Sequence, residues 1–537
     1  MTSAPMAKKK PHSETHHQIT RRDEYAWLRA QNWQEVMRNP EALAPEIRDY
    51  LEAENAYTKA WMADTEALQE QIFEEMKGRI KEDDSSVPAK DGEYEYYTRF
   101  VTGGQHPLFC RRKTGTEDEQ ILVDGNALAR DKAYFNIRSV AHSPDHARIA
   151  YAFDDKGSEF YTIRILDAQS GETLEADIAD TNGDPVWGRG GASLYYTRLD
   201  ANHRPSQVFR HEPGAKRQDR LIYEEADSGF FAGIGAVQSR KFLAIDAHDH
   251  QTSEIRLIDM KDPDGEAILV APRQKGHEYD VEHHGDYLYI RSNWQAEDFR
   301  IVRARLDNPG QEHWEDVVPH KPGRLILWHN CTAHHLVRLE REEGLPRLVI
   351  RELASGKEHE IAFEEEAYSL GAQEGFEFDT NTLRFSYSSM TTPSQLFDYD
   401  MLTRQRVLRK TQEVPSGHEP SDYVTRRVFA PAKDGELVPV SLLYARDMAL
   451  DGCAPLLLYG YGAYGMSMPA GFSTTILSLV DRGFVYAIAH VRGGMEKGYR
   501  WYADGRREHK RNTFTDFIAA GEYLAQQKFT ARGRIVA

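Results

Sequence analysis

The sequence predicts a seven-bladed β-propeller followed by part of an α/β domain and preceded by a helical extension. At 537 residues the chain is too long for one hydrophobic core. Similar strand segments return at a nearly constant interval through its middle, and apolar strands alternate with helices after them. The expected domains are residues 1–80 for the helical extension, 81–411 for the propeller and 412–537 for the α/β part.

The extension is predicted to be one long helix over residues 45–80. Pro45 suits the first turn of a helix, where the N–H that proline lacks is not needed. Apolar residues then follow mostly at steps of three, four or seven: Ile47, Leu51, Trp61, Leu68, Ile72, Met76 and Ile80. Because this spacing places them on one face, we expect an amphipathic helix that lies on another part of the protein.

Seven segments in the middle of the chain share an apolar strand that ends on Arg or Asp. They are residues 108–111, 161–164, 207–210, 253–256, 300–303, 348–351 and 395–398. Their last residues are 46 to 53 residues apart, and turn residues separate further strands between them. A four-stranded unit that returns every ~40–50 residues is typical of propeller blades, and seven units predict seven blades. A two-sheet sandwich is the alternative, but it does not require a constant period.

The α/β part begins after a linker rich in Pro, Ser and Gly at residues 414–420. Buried strands are predicted at 438–444, 455–459, 484–491 and 534–537, and a helix at 474–482. A second helix is expected to begin near Thr513, in a capping box completed by Asp516. Apolar strands that alternate with helices indicate a parallel sheet covered on both faces, with its site at the carboxyl ends of the strands.

Composition and charge restrict the classes of partner. The chain is 40% apolar and 28% charged, as in an ordinary soluble globular protein. Its formal net charge of -18 argues against a nucleic-acid partner, since phosphate binding requires a basic surface. The same charge is compatible with attraction of peptides rich in Lys and Arg, or simply with solubility.

Targeting and redox features favour a cytoplasmic protein that makes no contact with membranes. The start of the chain lacks the apolar segment of a secretory signal. Residues 454–480 carry no charge and could span a bilayer by length, but glycines and a proline interrupt them. Cys110, Cys331 and Cys453 are widely spaced and odd in number, which favours a reducing compartment.

No metal or cofactor is predicted. Histidines cluster at residues 12, 16 and 17, at 248 and 250, and at 283 and 284. No H-E-x-x-H motif and no Cys/His ligand set accompanies them, so surface or turn positions explain them better. The sequence also contains neither a P-loop nor a dinucleotide fingerprint.

Four segments carry a resemblance to a known family. They are RDEYAWL (residues 22–28), LLLYGYGAYG (456–465), AIAHVRGG (487–494) and WYADG (501–505). With them the whole chain resembles the prolyl oligopeptidase family of serine peptidases, and within it most closely the oligopeptidase B type. The resemblance implies a seven-bladed propeller on an α/β-hydrolase domain. It also implies hydrolysis of short, basic peptides after Lys or Arg, through an acyl-enzyme and without a cofactor.

The resemblance also assigns roles to residues of the Tyr-Gly-Ala-Tyr loop. The hydroxyl of Tyr461 is expected to donate to the negative oxygen that forms during acyl transfer. Tyr464 is expected to line the pocket for the substrate side chain before the cleaved bond. Arg492 is expected to anchor a loop rather than to contact substrate.

The nucleophile turn of such a domain, G-x-S-x-G, occurs nowhere in the 537 residues. The α/β-hydrolase domain is therefore expected to be incomplete, with its Ser, Asp and His beyond Ala537. In this fold the three follow one another in that order, which excludes the acidic and histidine residues that precede the expected serine. The excluded residues are Asp481, Asp504, Asp516, His490 and His509. We expect the 537 residues alone to hydrolyse no peptide.

Two further hypotheses remain open at this point. The chain could be a non-catalytic propeller protein that binds peptides or partners, since propellers often serve as scaffolds. It could also be a related acylaminoacyl or dipeptidyl peptidase, which keeps the chemistry and changes only the substrate. The oligomeric state has no signal in the sequence.

Overall fold

A computed structural model describes residues 3–215 and 218–537. The extension begins with a short hairpin and continues into three helices. These elements are β1 (Ser13–His16), β2 (Ile19–Arg22), α1 (Trp33–Arg38), α2 (Pro45–Met62) and α3 (Glu66–Gly78). The prediction of one continuous helix over residues 45–80 is wrong. A 3₁₀ turn at Ala63–Thr65 divides this segment into α2 and α3.

The extension contacts the α/β part at the end of α3. Arg79 donates to Ser478 Oγ at 2.6 Å and to Asp481 Oδ2 at 2.9 Å. Glu75 pairs with Arg482 at 2.7 Å. The apolar face is covered less than predicted: Ile47 is buried, but several other members are exposed. The exposed members are Leu51, Trp61, Leu68 and Ile80.

The middle of the chain is built from antiparallel strands and one short helix, α4 (Gly125–Ala129). The strands are β3 (Ala89–Asp91), β4 (Tyr94–Arg99), β5 (Leu108–Lys113), β6 (Glu119–Asp124), β7 (Asn136–His142), β8 (Arg148–Asp154), β9 (Tyr161–Asp167), β10 (Ile178–Thr181), β11 (Val186–Trp187), β12 (Leu194–Leu199), β13 (Pro205–His211), β14 (Arg220–Glu224), β15 (Phe231–Ala236), β16 (Phe242–His248), β17 (Ser253–Asp259), β18 (Ile268–Leu269), β19 (Tyr279–His284), β20 (Tyr287–Ser292), β21 (Arg300–Arg305), β22 (Glu315–Val318), β23 (Arg324–Cys331), β24 (His335–Glu342), β25 (Leu345–Glu352), β26 (Glu358–Glu360), β27 (Ser369–Gln373), β28 (Thr382–Ser388), β29 (Gln395–Asp400) and β30 (Arg406–Thr411).

The predicted propeller is confirmed, but its predicted number of blades is wrong. Within residues 3–215 and 218–537, five four-stranded blades stand as separate sheets, not seven. They are β3–β6, β15–β18, β19–β22, β23–β26 and β27–β30. Strands β7 to β14 form one eight-stranded sheet, because β10 pairs with β9 on one side and with β12 on the other through Thr181 and Arg198. Strand β11 has only two residues and leaves much of the β12 edge free for this pairing.

The seven repeated segments occupy equivalent positions. They lie in β5, β9, β13, β17, β21, β25 and β29, each flanked by paired antiparallel neighbours. Turns after the first strands of different sheets meet across the centre of the ring. Arg240, after β15, pairs with Asp91, at the end of β3, at 2.9 Å. Gln238 donates to the carbonyl of Gly375, after β27, at 2.9 Å.

The last part of the chain contains a five-stranded sheet. Its strands are β31 (Tyr423–Pro431), β32 (Leu437–Ala445), β33 (Leu456–Tyr459), β34 (Val485–Ala489) and β35 (Ile535–Val536). The sheet order is β31-β32-β34-β33-β35. The prediction of a parallel sheet holds for β34, β33 and β35, whereas β31 and β32 are antiparallel additions at one side.

Three helices accompany this sheet: α5 (Thr474–Val480), α6 (Tyr499–Ala503) and α7 (Arg511–Gln526). The helix predicted at 474–482 is confirmed, but the predicted capping box is wrong. Helix α7 already begins at Arg511, and Thr513 Oγ1 instead donates to the Arg492 carbonyl at 2.7 Å. Within the described ranges, no helix has both the length and the apolar character that crossing a membrane requires.

Candidate functional site

The loop Gly460–Gly465 leaves the sheet at the carboxyl end of β33, where a sheet of this kind carries its site. Neighbouring side chains pack so closely against Gly460 and Gly462 that neither position has room for a Cβ. A Cβ on Gly460 would lie 2.9 Å from Cε2 of Phe517, and one on Gly462 would collide with Val491 and Thr513. Gly462 also has a φ of 67°, which other residues rarely adopt. The loop is therefore held close to the end of β34 and the start of α7.

Tyr461 lies on the open side of this loop. Its side chain is 42% exposed, so a peptide could reach it. A phenol hydroxyl held at this edge of the sheet can donate to an oxygen that becomes negative during acyl transfer. The role predicted for Tyr461 stays a prediction.

Tyr464 faces the propeller. It is 67% exposed and has a φ of 54°, in the left-handed region. Its ring centroid lies 5.7 Å from that of His250, in the turn between β16 and β17. The loop that carries both tyrosines therefore borders the space between the propeller and the α/β part. That Tyr464 binds a substrate side chain stays a prediction.

Arg492 anchors the turn beneath this loop, as predicted. Its Nε donates to Asp516 Oδ2 at 2.8 Å, and its Nη1 donates to Asp434 Oδ2 at 2.6 Å. The hydrogen bonds to Asp516 contribute most to raising the pKa of Arg492, and the hydrogen bond to Asp434 raises it further. The following turn then binds the loop, because Gly465 N–H donates to the Gly493 carbonyl at 2.9 Å. The position of Tyr461 thus depends on a buried charge cluster behind it.

Lysine and threonine side chains fix the same loop from α7 and the turn before it. Lys510 Nζ and Thr513 Oγ1 both donate to the carbonyl of Gly462. Burial lowers the pKa of Lys510. Thr513 does not cap its own helix, because its hydroxyl donates to the carbonyls of Gly462 and Arg492 instead.

Propeller turns hold the α/β part opposite this loop. Gln251 Nε2 donates to Tyr499 Oη at 3.0 Å, and Tyr499 N–H donates to Asp298 Oδ1 at 2.6 Å. Arg341, at the end of another blade strand, donates to Ser467 Oγ at 2.9 Å. The turns between second and third blade strands thus form the propeller side of the candidate site.

A buried Ser–His–Glu arrangement lies between the sheet and the propeller, and no motif in the sequence predicted it. Ser441 Oγ lies 2.8 Å from His490 Nε2, and His490 Nδ1 lies 3.5 Å from Glu496 Oε1. The order of these atoms is that of a catalytic triad. However, all three side chains are buried and border a cavity of about 150 Å³, which is too small for a peptide. We therefore assign it a structural role.

A second cluster lies at the centre of the ring, and no sequence motif signalled it. Ligand atoms of Asp91, His142 and His146 lie within 4.8 Å of one another. His142 Nε2 is 2.7 Å from Asp91 Oδ2, while Arg240 pairs with both oxygens of the same carboxylate. Because the guanidinium already occupies Asp91, this cluster suits an ion-pair network better than a metal ion.

Comparison with known proteins identifies the family. A model described as the prolyl oligopeptidase N-terminal β-propeller domain matches residues 5–412. A second one, for the prolyl oligopeptidase family, matches residues 470–537. The Tyr461 loop lies between the two matched ranges, so its position rests on the geometry described above.

Relatives and solved structures agree with these matches. The chain is 39% identical to dipeptidyl aminopeptidase BI of Pseudoxanthomonas mexicana over 99% of its own length and 75% of that protein. It is 32% identical to protease 2 of Moraxella lacunata, over 99% and 76%. Oligopeptidase B from Leishmania major superposes with a TM-score of 0.92 at 32% identity, over 99% of this chain and 78% of that one. The chain belongs to the prolyl oligopeptidase family of serine peptidases.

Proposed function

We propose that this protein acts as a serine-type oligopeptidase that hydrolyses short peptides through an acyl-enzyme. The observation that carries the proposal is the placement of Tyr461: an exposed phenol in the loop that follows a parallel strand at its carboxyl end. Membership of the family supports the reaction type. The 537 residues would supply the propeller, the sheet and one oxyanion donor, and the serine, aspartate and histidine would come from sequence beyond Ala537.

Tyr461 would act by electrostatic stabilisation. When a serine attacks a peptide carbonyl, negative charge builds on the carbonyl oxygen, and a positioned donor lowers the barrier. The fixed Gly460–Gly465 loop would keep the Tyr461 hydroxyl oriented before substrate arrives, so that no reorganisation is needed during the reaction. Tyr464 would contact the substrate side chain from the same loop.

We propose cleavage after Lys or Arg as the specificity. Oligopeptidase B and protease 2 are among the proteins that this chain resembles, and the net charge of -18 would favour cationic peptides. One observation favours a second candidate, removal of dipeptides from a free amino terminus. The relative with 39% identity is named dipeptidyl aminopeptidase BI.

Two chromogenic substrates distinguish these candidates. One is an arginyl amide with a blocked amino terminus, and the other is a dipeptidyl amide with a free amino terminus and no basic residue. The protein translated from the complete reading frame is expected to cleave the first with the higher kcat/KM. Cleavage of the second alone would establish the dipeptidyl peptidase instead.

The 537-residue chain by itself is proposed to be inactive. It should release no product from either amide and should not react with an active-site phosphonate. An open reading frame that continues into G-x-S-x-G after the codon for Ala537 would support the enzyme. A stop codon at that position would favour the non-catalytic propeller protein.

The domain assignment and the location are proposals as well. Residues 1–80, 81–411 and 412–537 are proposed as the helical extension, the propeller and the α/β-hydrolase part. A cytoplasmic location is supported by three free cysteines, of which Cys110 and Cys331 are buried. Fractionation of the source cells with an antibody against the protein tests it.

A further inference from the structure

A cavity of about 350 Å³ lies at the end of the ring that is remote from the α/β part. The strand ends and turns that surround it belong to β3, β7, β11, β15 and β27 and to the residues just after them. Adjacent strands of a blade are antiparallel, so these turns lie at the opposite end from the second-to-third strand turns that contact the α/β part. We call this cavity the distal bowl.

The walls of the distal bowl are mostly apolar. They include Val140, Pro144, Trp187, Ala236, Met260 and Phe376. The Trp187 ring is held in place, because its Nε1 donates to the Ala141 carbonyl at 3.0 Å. A volume of this size and an apolar wall with a few polar groups are typical of a preformed pocket for a small molecule.

A balanced ion-pair cluster forms one side of the bowl. Arg240 donates to both carboxylate oxygens of Asp91, at 2.9 and 3.2 Å, and His142 Nε2 lies 2.7 Å from Asp91 Oδ2. Burial would raise the pKa of Asp91, but the hydrogen bonds with His142 and Arg240 outweigh it and lower that pKa to about 2. Asp91 is therefore ionised and already paired, and it does not call for a cation from solution.

Two guanidinium groups of the bowl keep donors available for a ligand. A guanidinium has five N–H donors, and Arg240 gives two of them to Asp91. The Arg240 side chain is 36% exposed, and no other acceptor in the described part of the chain takes its remaining donors. Arg189, exposed in the turn after β11, pairs with no carboxylate of residues 3–215 or 218–537. The bowl thus carries a net positive charge in a chain whose net charge is -18.

We propose that the distal bowl is a second ligand site, which binds small apolar carboxylates: molecules about the size of one amino-acid residue that combine a carboxylate with an aromatic or aliphatic group. The apolar wall removes that group from water. Arg189 and Arg240 bind the carboxylate, whose two oxygens match the fork of a guanidinium. The inference does not rest on the proposed function, because no residue of the bowl belongs to the Tyr461 loop.

Three related ligands separate the two parts of this recognition. N-acetylphenylalanine has both the carboxylate and the apolar group, its amide lacks the charge, and N-acetylglycine lacks the apolar group. Isothermal titration calorimetry of each with the 537-residue chain gives its dissociation constant. For N-acetylphenylalanine we expect ~1 mM or below. The other two should bind at least ~5-fold more weakly.

Two variants at exposed positions locate the site. Arg189→Met removes the unpaired guanidinium and should weaken N-acetylphenylalanine at least ~5-fold. Ala236→Glu places a carboxylate in the apolar wall and should abolish its binding. The matched control is Arg130→Met, at an exposed arginine after α4 and outside the bowl, which should bind like the wild type. Thermal unfolding midpoints equal to that of the wild type show that the variants are folded.

The results that would overturn the inference are specific to each arm. They are no binding of N-acetylphenylalanine, equal binding of the three ligands, or wild-type binding by Ala236→Glu. Wild-type binding by Arg189→Met would overturn the carboxylate as the recognised group. Hydrolysis by the product of the complete reading frame judges the proposed function separately.

Discussion

Arg492 and Asp516 form a buried ion pair, with Arg492 Nε 2.8 Å from Asp516 Oδ2, directly behind the loop that carries Tyr461. Asp516 also accepts the backbone N–H of Arg492 at 3.1 Å. The carboxylate thus fixes both the side chain and the main chain of the turn that binds Gly465. The geometry of the candidate oxyanion donor depends on a charge pair that no substrate can reach.

Asp516→Ala should destabilise the α/β part strongly. The substitution removes the buried partner of the Arg492 guanidinium and leaves the half-exposed Asp434. Loss of one member of a buried pair costs about 3–5 kcal/mol. Urea unfolding, followed by tryptophan fluorescence, measures the change. Asp504→Ala is the control, since Asp504 forms its ion pair with the exposed side chain of Arg500. A loss below ~1 kcal/mol for Asp516→Ala would contradict the anchoring role.

Ser441→Ala tests the structural role of the buried Ser–His–Glu arrangement. We expect a loss of about 1–3 kcal/mol in the free energy of unfolding, because His490 Nε2 is left buried without its partner. Phosphonate labelling of the protein translated from the complete reading frame should not change. If the variant abolished the labelling, Ser441 would be a nucleophile and the structural assignment would be wrong.

Glu282→Gln should change how stability depends on pH. Burial raises the pKa of Glu282 to about 7, above the value of about 4.3 for an unfolded glutamate. As the pH rises from about 4 to 7, the unfolded chain releases this proton while the folded chain keeps it, so the folded state loses stability. Above pH 7 the loss is complete.

In Glu282→Gln this loss of stability with rising pH is absent, because glutamine does not ionise. Relative to the wild type it should gain about 1–3 kcal/mol in the free energy of unfolding between pH 4.5 and pH 8. Thermal or urea unfolding at the two pH values measures the difference. Glu364→Gln, at an exposed position, serves as control. An equal difference between Glu282→Gln and the wild type at both pH values would show that Glu282 is ionised normally.

Much of the fold could be predicted because it depends on local periodicity. The repeated segments predicted strands that the structure places at equivalent positions, and the apolar runs predicted β33 and β34. The number of separate blades could not be predicted, because the merger of β7–β14 depends on one pairing between Thr181 and Arg198. Nothing in the local sequence of either residue signals that contact.

The candidate site was predictable only in part for the same reason. Gly460–Gly465 could be recognised from its glycines and tyrosines. His490 and Ser441 come together only through the tertiary structure. The predicted capping box is wrong because the Thr513 hydroxyl donates its hydrogen bond to the carbonyl of Arg492 instead. In each case a long-range hydrogen bond or packing contact outweighed the local pattern.

Substitution of Tyr461 by phenylalanine tests the central claim most directly. The measurement is kcat for a blocked arginyl amide, made on the protein translated from the complete reading frame. Tyr459→Phe, at the end of β33 and 44% exposed, is the matched control. If Tyr461 supplies an oxyanion donor, Tyr461→Phe lowers kcat by about 10²–10³ while KM changes little, and the control keeps the wild-type value. Full activity of Tyr461→Phe would contradict the account.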